Sequence, residues 1–187
     1  MSSTFIKKLI TKRGKEAVIR LPTIDDVIEM TAYINTLSRE DTFITFSGEQ
    51  ITLDSEREYV IDLLKRIEKG DAVNMLCIVD GKIVGIAGVE RKISSRNRGM
   101  HIGIFGISVG KDCRGDGIGL ELSVAVIDEA KKKMAGLRMI TLSVYKPNKI
   151  AYDLYHKLGF VESGTLPQGI LFHGEYVDEI EMYLKLL

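Results

Sequence analysis

The sequence predicts an α/β fold built on a mixed, mostly antiparallel sheet. Three observations carry that prediction. Strand-like and helix-like segments are interleaved over 187 residues without a regular β-α-β repeat. Asp80-Gly81 separates two apolar runs, residues 74–79 and 82–89, as a two-residue hairpin turn would. The segment Arg114-Gly115-Asp116-Gly117-Ile118-Gly119 stands between a strand-like run and a long helical one.

The elements follow in order. Residues 17–21, Ala-Val-Ile-Arg-Leu, read as a short strand. Pro22 and Thr23 lead into a helix with Asp25 and Asp26 in its first turn, where the helix dipole favours acids. Val27, Met30, Ile34 and Leu37 recur at helical spacing. Asp54 and Ser55 open a second helix with Tyr59, Val60, Leu63, Leu64 and Ile67 on its apolar face, and Gly70 ends it. The hairpin comes next, then a polar loop over 91–99. Residues 100–109 form a longer strand, and Gly103 and Gly106 mark a bulge or a close backbone approach. The helix after the glycine segment runs to about Met134. Its polar stripe includes Glu121, Asp128 and Lys132, and most other faces are apolar, so it is largely buried. Residues 138–145 are a strand, 148–158 a helix stopped at Gly159, and 160–164 and 176–186 the last strands. Thr165-Leu166-Pro167-Gln168-Gly169 reads as a mobile loop.

Composition narrows the function. Hydrophobic residues are 45% and charged residues 28%, as in soluble globular domains. Lys+Arg and Asp+Glu both total 26, so no global basic surface serves nucleic acid. Two cysteines, Cys77 and Cys113, are too few for a disulfide scaffold and point to a reduced, cytoplasmic setting. Cys77 reads as core, and Cys113, with no histidine near it in sequence, as a spectator. His101, His156 and His173 lack metal-ligand spacing, so no metal is expected. The run Lys131-Lys132-Lys133 ends a helix, where cations suit the dipole. The start, through Lys8, leads into no signal-peptide core, and no run approaches the roughly 18 apolar residues of a membrane span. With three prolines and no linker, one domain over residues 1–187 is expected.

The glycine segment carries the chemistry. The first N–H groups of a helix have no internal partner and attract anions. Three alternating glycines there cost about 1 kcal/mol each against alanine, which argues for a purpose. The dinucleotide pattern fails because position 120 is Leu120. The P-loop fails because Asp116-Gly117 follows Gly115. The pattern that fits is Arg/Gln-x-x-Gly-x-Gly/Ala, on Arg114, Gly117 and Gly119.

That segment resembles motif A of the GCN5-related N-acetyltransferase (GNAT) family. Asn148-Lys149-Ile150-Ala151-Tyr152-Asp153-Leu154-Tyr155-His156-Lys157-Leu158-Gly159-Phe160 resembles its motif B, and the two stand in the family's order. The resemblance covers roughly residues 16–186. It implies an acyl-CoA N-acyltransferase fold, with a twisted sheet splayed between the family's fourth and fifth strands and flanked by helices. It further implies acetyl-CoA as co-substrate and acetyl transfer to a primary amine of a small molecule or a protein N-terminus, by direct attack in a ternary complex. The other reading is a non-catalytic acyl-CoA-binding sensor or interaction module. A homodimer is common in the family.

By similarity, Ile107, Ser108 and Val109 pair with the pantetheine arm. Arg114, Gly115, Asp116, Gly117, Ile118 and Gly119 cradle the pyrophosphate, with Asp116 turned to solvent. Asn148 and Ala151 lie near the arm, and Asn148 also suits a helix N-cap, worth about 1 kcal/mol. Lys111, Arg114, Lys146 and Lys149 add local positive charge. Tyr155 faces the CoA sulfur as general acid. An ordinary tyrosine pKa of about 10 against about 8.5 for a thiol makes full proton transfer uphill by roughly 2 kcal/mol, so its main role is a hydrogen bond to the developing thiolate. A backbone N–H near Val109 steadies the oxyanion. No acid lies between Met100 and Gly110, which leaves His101 as the base on that strand. Glu56, Glu58 and Glu90 are further candidates. The segment between Leu37 and Asp54, and residues 165–176 with Phe172, His173, Glu175 and Tyr176, are expected to line the acceptor side.

Overall fold

The computed structural model describes residues 5–40, 42–92 and 98–186. Among them lie β1 (Phe5–Ile10), β2 (Glu16–Arg20), α1 (Val27–Arg39), α2 (Leu53–Glu68), β3 (Ala72–Val79) and β4 (Lys82–Arg91). Then follow β5 (Ile102–Val109), α3 (Ile118–Lys133), β6 (Met139–Tyr145), α4 (Lys149–Lys157), β7 (Val161–Phe172) and β8 (Glu175–Lys185). The architecture is the expected mixed α/β. Two compact units divide the chain: Met1–Val89 with Ile107–Ala135, and Glu90–Gly106 with Gly136–Leu187.

In the first unit the strand order is β1-β2-β3-β4-β5. Asp80 and Gly81 take φ of 51° and 76°, the left-handed pair a tight hairpin needs, and they join β3 to β4. β3 is buried almost throughout, which is why it reads as an unbroken apolar run. Helices α1 and α2 pack on each other, and α2 and α3 on β3. Val27, Met30, Leu37, Val60, Leu76 and Ile83 form a shared core. Helix α2 starts one residue before Asp54, because the Thr52 hydroxyl oxygen accepts the Ser55 N–H and caps it.

Strand β1 has no counterpart in the sequence reading. It pairs antiparallel with β2, Ile10 opposite Glu16. Lys7-Lys8 interrupts its apolar pattern, and an edge strand tolerates such lysines.

In the second unit the order is β5-β6-β8-β7. The β5–β6 pair is parallel, and its register runs only from Ile102 opposite Met139 to Ile104 opposite Thr141, three of the eight β5 residues, as a splay there requires. The pairs β6–β8 and β7–β8 are antiparallel. Phe105, Ile140, Phe160 and Met182 are buried.

The expected mobile loop at residues 165–169 is instead part of β7. The strand crosses it with a register shift between Leu166 and Ile170. Pro167 is tolerated because β7 is an edge strand and its bulge needs no N–H there. His173 and Gly174, both at positive φ, then turn the chain into β8. The polar loop expected at 91–99 starts after Arg91, the last residue of β4, and residues 93–97 lie outside the described residues.

Asp26 anchors the start of α1. Its carboxylate accepts Arg20 Nη1 at 2.8 Å, Arg20 Nη2 at 2.6 Å and the Thr23 N–H at 2.7 Å. Burial opposes its charge, yet these hydrogen bonds outweigh burial and hold its pKa below the ordinary range. Its stabilisation is therefore present above the unfolded-state pKa and is lost as pH falls through the depressed one. In urea melts at pH 7, Asp26→Asn is expected to cost about 2 kcal/mol. The variant and parent should converge as the pH is lowered below the carboxylate range.

Candidate functional site

The glycine segment forms the turn that opens α3 in the first unit, the place expected to cradle an anion. Gly117 is the N-cap of α3 at φ 86°, and Gly115 sits at φ 77°, conformations that other residues adopt only with strain. Because Gly117 has no side chain, none caps the first turn of α3, and uncapped helix-start N–H groups attract anions. The one acid of that turn, Glu121, is ion-paired with Lys7.

Asp116 does not face solvent as expected. It is 5% exposed, and its Oδ1 accepts the Arg13 N–H at 2.7 Å, while its carbonyl accepts the Lys12 N–H at 3.2 Å. The β1–β2 turn presents the Arg13 N–H there, and binding it is better for a carboxylate than pointing toward an anion. Arg13 Nη1 also donates to the Asp112 carbonyl at 2.6 Å. A methyl group on Gly117 would lie 3.7 Å from Lys12 Cε, so this turn brings a lysine side chain beside the cradle. Sequence reasoning missed Lys12 and Arg13 because the strand before them went unseen.

The end of β5 leads into this cradle. Ser108 Oγ and the Tyr33 hydroxyl are 3.0 Å apart. Arg114 Nε donates to the Val109 carbonyl at 2.9 Å, and its guanidinium pairs with Glu40. Glu40 also accepts the Lys111 N–H at 3.1 Å. The Arg114 charge is thus spent on holding the turn rather than offered to a ligand. Ile107 and Ser108 are half-buried, as is Val109.

A cavity of about 400 Å³ opens beside Ser108, within the same unit. Met30, Ile34, Phe46, Ile51 and Ile86 make its wall apolar. Its polar groups are Ser55, Glu56, Tyr59, Asn74 and Ser108. Glu56 is 8% exposed, and burial pushes its carboxyl above the ordinary range. Asn74 is 5% exposed, and its buried Oδ1 has no hydrogen-bond partner. The sequence named Glu56 only among acids without position. The cavity gives it one, and Asn74 was read as an ordinary strand residue.

Tyr155, Asn148, Ala151, His101, Lys146 and Lys149 lie in the second unit. Tyr155 is 7% exposed among Phe105 and Phe160, both with ring centroids 6.0 Å from its own. Burial pushes its hydroxyl up to about 12. Asn148 caps α4, its Oδ1 accepting the Ala151 N–H at 3.2 Å. His101 is exposed just before β5, and its carbonyl accepts the N–H groups of Arg138 and Met139. Lys146 pairs with Asp178 at 2.8 Å, and Lys149 lies 5.1 Å from the Tyr152 ring centroid. Cys77 is buried, and burial also raises the Cys113 thiol, which disfavours a thiolate.

The fold and the cradle define a protein of the acetyltransferase class. The chain matches the Acetyltransferase (GNAT) family over residues 34–160, and it belongs to that family. It is 39% identical over 107 residues to an uncharacterized N-acetyltransferase of Methanocaldococcus jannaschii, a match covering 57% of this chain and 45% of that protein. It is 31% identical over 108 residues to the L-amino acid N-acetyltransferase AaaT of Escherichia coli, covering 58% and 65%. These matches therefore span between about half and two thirds of the relatives' lengths. A GNAT-family acetyltransferase structure from Streptococcus pneumoniae superposes with a TM-score of 0.83 at 28% identity, over 91% of this chain and 99% of that one.

The raised Glu56 carboxyl has a stability consequence. A raised folded-state pKa contributes stability at low pH that is lost as pH rises through it. Glu56→Gln removes the buried charge, so the variant should melt at a higher temperature than the parent at pH 8. That gain should vanish in melts run below the ordinary carboxylate pKa.

Proposed function

We propose that this chain is an acetyl-CoA-dependent N-acetyltransferase, a single domain over residues 1–187 that acetylates a primary amine. The observation that carries the reading is the start of α3, where helix N–H groups without a side-chain cap meet a left-handed Gly117 in a member of this family. The family match runs through both compact units, which supports one domain. Two unpaired cysteines suit a reducing, cytoplasmic setting.

Acetyl-CoA supplies the activated acyl group. The N–H groups from Arg114 to Gly119 receive its pyrophosphate, with Lys12 adding charge, and the backbone of Ile107, Ser108 and Val109 receives the pantetheine arm. Asn148 and Ala151, at the start of α4, also face the arm. The free amine attacks the thioester carbonyl, the N–C bond forms, the C–S bond breaks, and the thiolate leaves. Tyr155 donates a hydrogen bond to that thiolate. With its pKa at about 12, full proton transfer to a thiol near 8.5 is uphill by about 5 kcal/mol, so the hydrogen bond and not the proton is its contribution.

His101 and Glu56 are the two groups proposed to take the amine proton. The cavity beside Ser108 supports Glu56, because a base must reach the reacting amine and Glu56 lines that cavity. The acceptor is a small amine or a protein N-terminus. The activity named for the E. coli relative adds free amino acids to the acceptors worth testing.

Calorimetric titration with acetyl-CoA beside ATP and NAD is the direct test, with selective acetyl-CoA binding near equal stoichiometry expected. Tyr155→Phe should then keep that affinity and lose about 10–100-fold in thiol release, a hydrogen bond's worth of transition-state stabilisation. Unchanged thiol release would remove Tyr155 from the mechanism. Acetyl-CoA binding with no release for any amine would leave a sensor or interaction module.

A further inference from the structure

The cavity beside Ser108 is apolar-walled but is not an ordinary hydrophobic void. Two hydrogen-bond acceptors of its lining have no partner among the described residues, and one of them, Asn74 Oδ1, is buried as well. Asn74 Oδ1 is buried and unpaired. Glu56 is 8% exposed, and nothing but burial shifts its carboxyl. The hydroxyls nearby are already engaged, Ser55 Oγ donating to the Thr52 carbonyl at 2.9 Å and Ser108 Oγ paired with Tyr33. Gly88 leaves room for the Asn74 amide, since a methyl there would stand 2.9 Å from its Nδ2. Two acceptors, one of them anionic, ask for a group that has only donors and a positive charge. An ammonium has three N–H donors and no acceptor.

The lining also says what the rest of the ligand lacks. Among the described residues, none lining the cavity is basic. The first turn of α2 reaches it through Ser55 and Glu56, but that turn carries Asp54 and Glu56, and its Ser55 N–H is capped by Thr52. A carboxylate next to the amine would therefore find no cation there, and it would come close to the Glu56 carboxylate. The volume of about 400 Å³ is in the range of small-molecule sites.

We infer that this cavity is the acceptor site and that it selects an apolar primary amine with no carboxylate beside the nitrogen, its ammonium held by Glu56 and Asn74. The inference rests on the acetyltransferase reading for the fate of the amine, but the binding itself does not. Arylalkylamines and amino-acid amides belong to the selected class, and free α-amino acids do not.

The test is calorimetric titration of the full chain, alone and with CoA present, using 2-phenylethylamine, L-phenylalaninamide and L-phenylalanine at pH 8. The first two are expected to bind, and L-phenylalanine at least tenfold more weakly. Glu56→Gln should weaken 2-phenylethylamine at least tenfold and narrow the gap between the amide and the free acid. Tyr59 is the other titratable group of the lining, so the same titrations on Tyr59→Phe separate its part from that of Glu56. Equal binding of L-phenylalanine, an unaltered affinity in Glu56→Gln, or no binding of any amine each overturns the assignment. If acetyl-CoA binds and the amines do not, the cavity assignment falls and the transferase reading stands. If the amines bind and acetyl-CoA does not, the reverse holds.

Discussion

The structure of the first unit depends on a helix that begins without a cap. A side-chain oxygen at the start of α3 would satisfy its first-turn donors and stabilise it by about 1 kcal/mol, and Gly117 forgoes that. The surroundings are arranged around the resulting positive end. Asp116, one residue before, is drawn onto the Arg13 N–H, and Glu121, in the first turn, is neutralised by Lys7. Arg114 is pinned between Val109 and Glu40. The carboxylates of Asp116, Glu121 and Glu40 thus each have a partner of their own and do not cap the helix start.

That arrangement explains what was legible in the sequence. The glycine turn was readable because its requirement is local: glycines where φ must be positive, between a strand and a helix. The hairpin at Asp80-Gly81 and the helices α1 to α4 were readable for the same reason, since periodicity and turn chemistry act within a few residues. The partners of Asp116 were not, because they come from a turn more than a hundred residues away whose strand carries Lys7-Lys8 in an otherwise apolar run. The turn at His173-Gly174 hid behind a histidine in a position where asparagine or aspartate is the usual signal, so one long hairpin looked like two strands and a loop.

The acceptor side was the least legible part. Nothing about Glu56 in the sequence separates it from Glu58, which is two residues away on the same helix. What distinguishes it is that α2 turns position 56 toward an apolar space walled by residues from α1 and β4. Helical periodicity marks the apolar residues of such a face, and an acid among them reads as an interruption.

Glu56 and Asn74 are both poor choices for stability. A buried carboxyl with a raised pKa loses stability in its ionised form, and a buried amide oxygen without a donor carries a desolvation cost that an apolar residue of similar shape would not. A core optimised for folding would fill the space with leucine and methionine, as the adjoining core of Val60, Leu76 and Met30 does. Polar groups that weaken the fold where they stand, in a cavity open beside the strand that leads into the cradle, are best explained by a partner that satisfies both when bound. Stability and binding pull in opposite directions at these two positions, and a variant that improves the first is expected to lose the second.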